Sequence, residues 1–231
     1  MFSPIKSVKV YEQVIEQIKQ MIIDGTLKKG DKLPSERELC EKLNVSRTSI
    51  REAMRVLEVM GLIECKQGNG NFIKENLENN LFETLSIMFM LERGNPSDVI
   101  ELRRVIEVET ASLAAEKVTE DELEVMNTLV NDLRNLSDEN ERVKADKAFH
   151  YEIAKASKNF LIVNIINAVS SLIDSYIKDA RRKILVDKEN VEVLAKQHED
   201  IYFALKERKP EKAAAAMRRH LDFANEYMMK K

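Results

Sequence analysis

The first seventy-odd residues carry helix starts and stops so closely spaced that only short elements fit between them. VYEQVIEQIKQMII places apolar residues at 10, 14, 15, 18, 21 and 22, the stripe of an amphipathic helix. The stripe ends in DGTLKKGDKLP, a run of turn residues closed by Pro34. Ser35 then caps a second helix, SERELCEKL, and Glu38 three residues on completes a capping box. Asn44 and Val45 make a short turn, Ser46 caps a third helix through SIREAMRVLEVM, and Gly61 stops it. LIECKQGNGNFI reads as two short strands around the Gly68-Asn69-Gly70 turn. Helix, helix, tight turn, helix, hairpin is the order of a winged helix-turn-helix, in which the last of these helices lies in the DNA major groove.

That order gives particular side chains a task. Arg47 and Arg51 lie four apart near the start of the third helix, with Thr48 beside them. An arginine there can bond guanine O6 and N7 together, and the free N–H groups of the helix start can take a phosphate. Arg37, in the first turn of the preceding helix, is placed to hold the DNA backbone, and a glycine at 68 lets the wing's backbone approach the minor groove. The competing reading is a three-helix core with solvated Arg–Glu pairs. Order, spacing and the glycine-rich wing together favour DNA. Charge is only permissive: residues 1–76 carry 13 Lys and Arg against 11 Asp and Glu, while 77–231 carry 24 against 29.

The rest of the chain has a different grammar. At 231 residues, with 6 Gly, 4 Pro and 33% charged residues, it suits two modest helix-rich domains rather than disorder. KENLENN, residues 74–80, is the expected hinge, which divides the chain at 1–76 and 77–231. Beyond it, turn clusters set off seven helices at 80–91, 97–117, 120–136, 138–156, 159–184, 189–207 and 210–229, with no convincing strand. The fold class is therefore mainly α: a winged helix-turn-helix with a small β-hairpin wing, then an all-α bundle. The N-terminal stretch MFSPIKSVKVYEQVIEQ lacks the apolar run expected of a signal peptide, and the longest apolar stretch, LSIMFML at 85–91, is too short to span a bilayer. Cys40 and Cys65 have no CxxC partner and read as buried thiols of a reducing cytoplasm, where the protein is expected to reside.

Three histidines are distinctive by their spacing. Asp146 and His150, in DKAFH, leave one helix face in the same direction. His198 lies 12 residues before Pro210 and His220 lies 10 after it, so an antiparallel pair of helices turning at Lys209-Pro210 carries both to one height. All three rings could then meet Asp146. The alternative is a set of hydrogen-bonded core histidines beside a solvated aspartate.

The first part of the chain closely resembles the DNA-binding domain of the GntR family of bacterial transcription regulators. The likeness runs from about residue 8 to 74 and includes G-x-x-L-P-S-E-R-E-L, S-R-T-x-x-R-E-A and the G-x-G wing. It implies Arg37, Arg47, Thr48, Arg51 and Gly68 as DNA contacts, and a homodimer on an inverted-repeat operator of double-stranded DNA. ELRRVIEVETASLAAEKVTEDELEVM, then DKAFHYEIAKASKN, then the His198–His220 hairpin resemble the FCD effector domain of the FadR subfamily. That second likeness implies a divalent metal on Asp146, His150, His198 and His220. Zn²⁺, Ni²⁺ or Mn²⁺ all suit three imidazoles and a carboxylate. It also implies Arg103 as the clamp for a small organic acid, since a planar guanidinium grips a carboxylate fork to fork. The plainer role for Arg103 is a surface ion pair with Glu107, one turn on.

These expectations describe a DNA-binding regulator, a repressor by the family's usual sign, whose operator affinity responds to a small carboxylate at the metal. A constitutive DNA-binding protein with a purely structural metal is the alternative. A metal-dependent hydrolase is disfavoured, because the candidate base Glu152 falls two residues past His150, on the other side of its helix. The chain is not expected to be an enzyme.

Overall fold

A computed structural model describes residues 9–75, 87–89, 91–92, 95–167, 181–186 and 189–229. The chain divides into two compact units, Met1–Asn80 and Leu81–Lys231. Residues 76–80 of the expected hinge, most of the helix expected at 80–91 and the middle of that expected at 159–184 lie outside the described residues.

The first unit is built from α1 (Val10–Ile23), α2 (Glu36–Leu43), α3 (Arg47–Val59), β1 (Ile63–Lys66) and β2 (Gly70–Ile73). Its ends follow from local chemistry. Ser35 Oγ accepts from the Glu38 N–H while the Glu38 carboxylate accepts from the Ser35 N–H, so both capping-box bonds form. Asn44 closes α2 in the left-handed conformation at φ 52°, which an Asn tolerates better than most residues. Ser46 Oγ caps α3 through the Ser49 N–H. Ile50, Ala53 and Leu57 line one face of α3 and are fully buried against Val14, Ile18, Leu39 and Ile63. Each large apolar side chain so buried stabilises the unit by roughly 1.5–3 kcal/mol relative to exposure.

The strands pair antiparallel from Ile63 opposite Ile73 to Lys66 opposite Gly70. The turn between them needs positive φ at Gly68 (78°) and Gly70 (99°). The turn-rich stretch after α1 also joins this hairpin: Lys32 bridges to Phe72, and the Leu33 N–H donates to the Asn71 carbonyl at 2.8 Å. Against expectation Cys65 is exposed and Cys40 only half-buried. Ile63 is the last β1 residue over the helical core, and Cys65, two residues on, lies where the wing projects past it.

The second unit holds α4 (Pro96–Lys117), α5 (Glu120–Asn135), α6 (Glu139–Ala156), α7 (Glu189–Lys206) and α8 (Pro210–Met229), with further helical residues at 160–167 and 181–184. Reciprocal caps start α4 (Asn95 with Asp98) and α5 (Thr119 with Glu122). α8 packs against α4 and α7, α5 against α6 and α7, and α4 against α6. Two separate apolar clusters result. The larger includes Val108, Phe149, Ile153, Ile201, Leu205 and Met217; the smaller includes Val99, Ile100, Ile184 and Leu194. Beside these clusters α4, α6, α7 and α8 bury a polar layer: Arg103 and Glu107, Asp146 and His150, His198, and His220.

Candidate functional site

That polar layer is buried. Asp146, His150, His198 and His220 are each between 1% and 6% exposed, and one candidate ligand atom from each lies within 4.8 Å of the others. Donors about 2.1 Å from a shared ion lie roughly 3–4.2 Å apart, so the widest pair has to draw in by about 0.6 Å or more to close on one. The His198 and His220 ring centroids are 4.4 Å apart across the hairpin about Pro210. Phe149, fully buried, meets the His150 and His198 rings edge-on at 6.0 and 5.6 Å and restrains both.

Outer partners fix which nitrogen of each ring faces the others. His150 Nδ1 lies 2.5 Å from Glu107 Oε2, His198 Nδ1 lies 2.8 Å from the Leu194 carbonyl, and His220 Nδ1 lies 3.3 Å from Gln197 Oε1. Each acceptor takes a hydrogen bond from Nδ1, which turns Nε2 toward the cluster, where a neutral ring can offer its lone pair to an ion. His198 Nε2 then lies 2.8 Å from Asp146 Oδ1, and His150 Nε2 lies 3.6 Å from the same oxygen, buried and without a hydrogen-bond partner. Lone pairs converging on a carboxylate oxygen repel one another unless a proton or a cation lies among them. The residues present therefore fit a divalent metal, and the outward Nδ1 bonds are those that orient ligating histidines.

Charge in the layer is balanced pair by pair. Burial pushes the Asp146 carboxyl up, but the His198 hydrogen bond and the nearby Arg181 outweigh it and hold it well below the usual carboxylate range. Burial, then the neighbouring His198 and His150, keep the His220 pKa well below that of a free imidazole, so that ring is neutral, as a ligand must be. Arg103, expected as an effector clamp or a surface pair, is 8% exposed and donates from Nε to Glu107 Oε1 at 2.5 Å. Burial raises Glu107, yet Arg103 and then His150 bring it down to about 2. Arg181 lies 3.7 Å from Asp146 Oδ2 and 2.5 Å from Glu139. No sequence pattern marks Arg181, and only its adjacency to His198 marks Gln197. Glu152 pairs with Lys155 at 2.9 Å and is not among the clustered ligands.

In the first unit the candidate DNA contacts are all exposed. Arg47, Thr48 and Arg51 stand on α3, and Gly68 lies in the wing turn. Arg37 is engaged with Glu41 at 3.1 Å, whereas Arg47 and Arg51 pair with no carboxylate among the described residues. A cleft of about 580 Å³ separates α3 from the wing, lined by Thr48, Arg51 and Arg55 on one side and Cys65 and Asn71 on the other. Glu36, Glu52 and Glu58 also border it.

Residues 10–73 match the bacterial regulatory proteins of the gntR family, and residues 98–223, more than half of the chain, match the FCD domain. The HTH-type transcriptional regulator LutR of Bacillus subtilis is 39% identical over 87% of this chain and 93% of its own. The chain belongs to the GntR family. Among other GntR relatives, the Glc operon transcriptional activator of Escherichia coli is 31% identical over 92% of this chain and 86% of its own. A solved structure described as Streptococcus agalactiae GntR superposes with a TM-score of 0.75 at 27% identity, covering 94% of this chain and 99% of that one. GntR proteins with an FCD domain are transcriptional regulators and not enzymes, and no helix among the described residues is long and apolar enough to cross a membrane.

Proposed function

We propose that this GntR regulator binds an inverted-repeat operator as a cytoplasmic homodimeric repressor, with its affinity set by a small carboxylate at a divalent metal. Residues 1–76 carry the DNA contacts, and residues 77–231 carry effector binding and dimerisation. Asp146, His150, His198 and His220 hold the metal (Zn²⁺, Ni²⁺ or Mn²⁺), and Arg103 meets the carboxylate. The observation that carries this reading is the shared orientation of three buried rings, each with Nδ1 on an outside acceptor and two with Nε2 near Asp146 Oδ1. When bound, the ion supplies an electrophilic seat for a carboxylate oxygen.

The chain's own residues do the rest. Arg47 and Arg51 offer unpaired guanidiniums to guanine edges, Thr48 and the α3 N-terminus offer donors to a phosphate, and Gly68 brings the wing close. Arg37 exchanges Glu41 for the DNA backbone. The two recognition helices must match half-sites about 34–36 Å apart. An effector that favours one arrangement of the second unit over another changes that spacing and releases the operator.

Metal content, measured by mass spectrometry on untagged protein, tests the centre. About one ion per chain is expected, lost on replacing His150, His198 and His220 with Ala. Fluorescence anisotropy on an operator selected from random DNA tests the switch. A panel of small carboxylates should include one that weakens binding at least tenfold. If metal is present and no carboxylate moves the affinity, the ion is purely structural. An ion-free wild type whose melting temperature divalent ions fail to raise would sink the metal. A relative named as an activator makes the sign a separate question, settled by an operator-driven reporter.

A further inference from the structure

Glu107 stands between the proposed metal site and the proposed effector arginine. The residue is 4% exposed, and its carboxylate accepts from Arg103 Nε through Oε1 and from His150 Nδ1 through Oε2, each at 2.5 Å. Arg103 Nη2 adds a third bond, to Oε2, at 3.3 Å. One side chain on α4 thus holds both the guanidinium one turn before it and a ring on α6, 43 residues away in the chain.

We propose that Glu107 is a positioning residue that couples the metal to the effector arginine. The inference rests on the metal reading above. A carboxylate at Nδ1 fixes the ring's tautomer and direction and raises the electron density at Nε2, the ligating atom. The same carboxylate is shared with Arg103. An anion arriving at Arg103 competes for that guanidinium and leaves more of the Glu107 charge to His150, which tightens its grip on the ion. Linkage then requires the ion to tighten the anion by the same factor. Glu107 turns two neighbouring sites into one cooperative site.

Zinc alone is a sufficient probe. Its affinity for the full-length chain is measured by competition with a chromogenic chelator, in wild type, Glu107→Gln, Glu107→Asp, Arg103→Lys and the Arg103→Lys/Glu107→Gln double variant. Glu107→Gln, which keeps shape and loses charge, should weaken zinc 10–100-fold. Glu107→Asp, charged but one methylene shorter, should fall between it and wild type. Arg103→Lys should change zinc affinity severalfold in the wild-type background and by less than about twofold in the Glu107→Gln background, since the link is already cut.

A Glu107→Gln variant within threefold of wild type, or an equal Arg103→Lys effect in both backgrounds, overturns the coupling. Should Glu107→Gln fail to fold, the Glu107→Asp value decides, and parity with wild type is the overturning result. Melting temperatures of the zinc-free proteins separate a merely structural role, which would lower stability and leave zinc affinity unchanged. A wild type that binds no zinc removes the metal reading and this inference together, whereas zinc binding insensitive to Glu107 removes this inference alone.

Discussion

The two units handle arginine in opposite ways. In the first, Arg47 and Arg51 stand exposed on α3 with no carboxylate partner, above a core that is entirely apolar. In the second, Arg103 and Arg181 lie 8% and 6% exposed inside the bundle, each bonded to a carboxylate that also touches a histidine or its partner. An unpaired guanidinium in water is free to exchange hydration for a DNA base or phosphate. A buried one is stable only while its counter-charge stays in place. The first unit therefore keeps its candidate functional residues apart from its core, and the second buries its candidates within it.

The sharpest test of that contrast is the same substitution made in both places. Arg103→Met leaves Glu107 buried without its main counter-charge and should destabilise the second unit by about 3–5 kcal/mol. Arg47→Met should stay within about 0.5 kcal/mol of wild type. Urea unfolding of the two variants reads the difference, and equal effects would break the comparison. The salt bridge also has a pH signature. The Glu107 pKa is depressed from 4.5 to about 2, so its contribution is fully present above about 4.5 and is lost as pH falls toward 2. Chelator-treated wild type should lose stability across that window more steeply than chelator-treated Glu107→Gln.

Metal comes next in size. Free zinc at a hundredfold excess over its dissociation constant should stabilise the second unit by about 3 kcal/mol. Asp146→Asn should remove that increment, and Arg51→Ala should leave it intact. On DNA the roles reverse. Arg47→Ala or Arg51→Ala should weaken operator binding by about 1–3 kcal/mol and relax the preference at one base pair, with unfolding unchanged. A competition assay against single-base operator variants measures both. The smallest effect belongs to the cap of α2: Ser35→Ala should lower the stability of the first unit by about 1 kcal/mol, without touching zinc affinity.

Legibility differed between the units for related reasons. Ser35 with Glu38, Ser46, and Thr119 with Glu122 mark helix starts within four residues of chain, so helix boundaries could be read locally. The Lys32 bridge to Phe72 has no sequence signature, because a single paired residue leaves no alternation. The clustering of His198 and His220 was readable because Pro210 fixes a turn and helix rise fixes a height. Their outward partners were not. The Leu194 carbonyl has no sequence signature, and the Glu107–His150 and Arg181–Asp146 contacts join residues 43 and 35 apart through packing alone. Cys65 reads as buried and is exposed for the converse reason: a wing strand alternates like a core strand but extends past what would cover it.

The polar layer in the second unit's interior has a consequence for how its sequence can vary. Val99, Ile100 and Ile184 belong to one apolar cluster beside it, and Phe149, Ile153 and Met217 to the other. A change of volume in one cluster meets no buried apolar neighbour from the other, so paired substitutions taken from the two clusters should add. Substitutions within the layer share carboxylates and rings and should not. Drift can proceed independently in each cluster, while the layer itself has to change in concert or not at all.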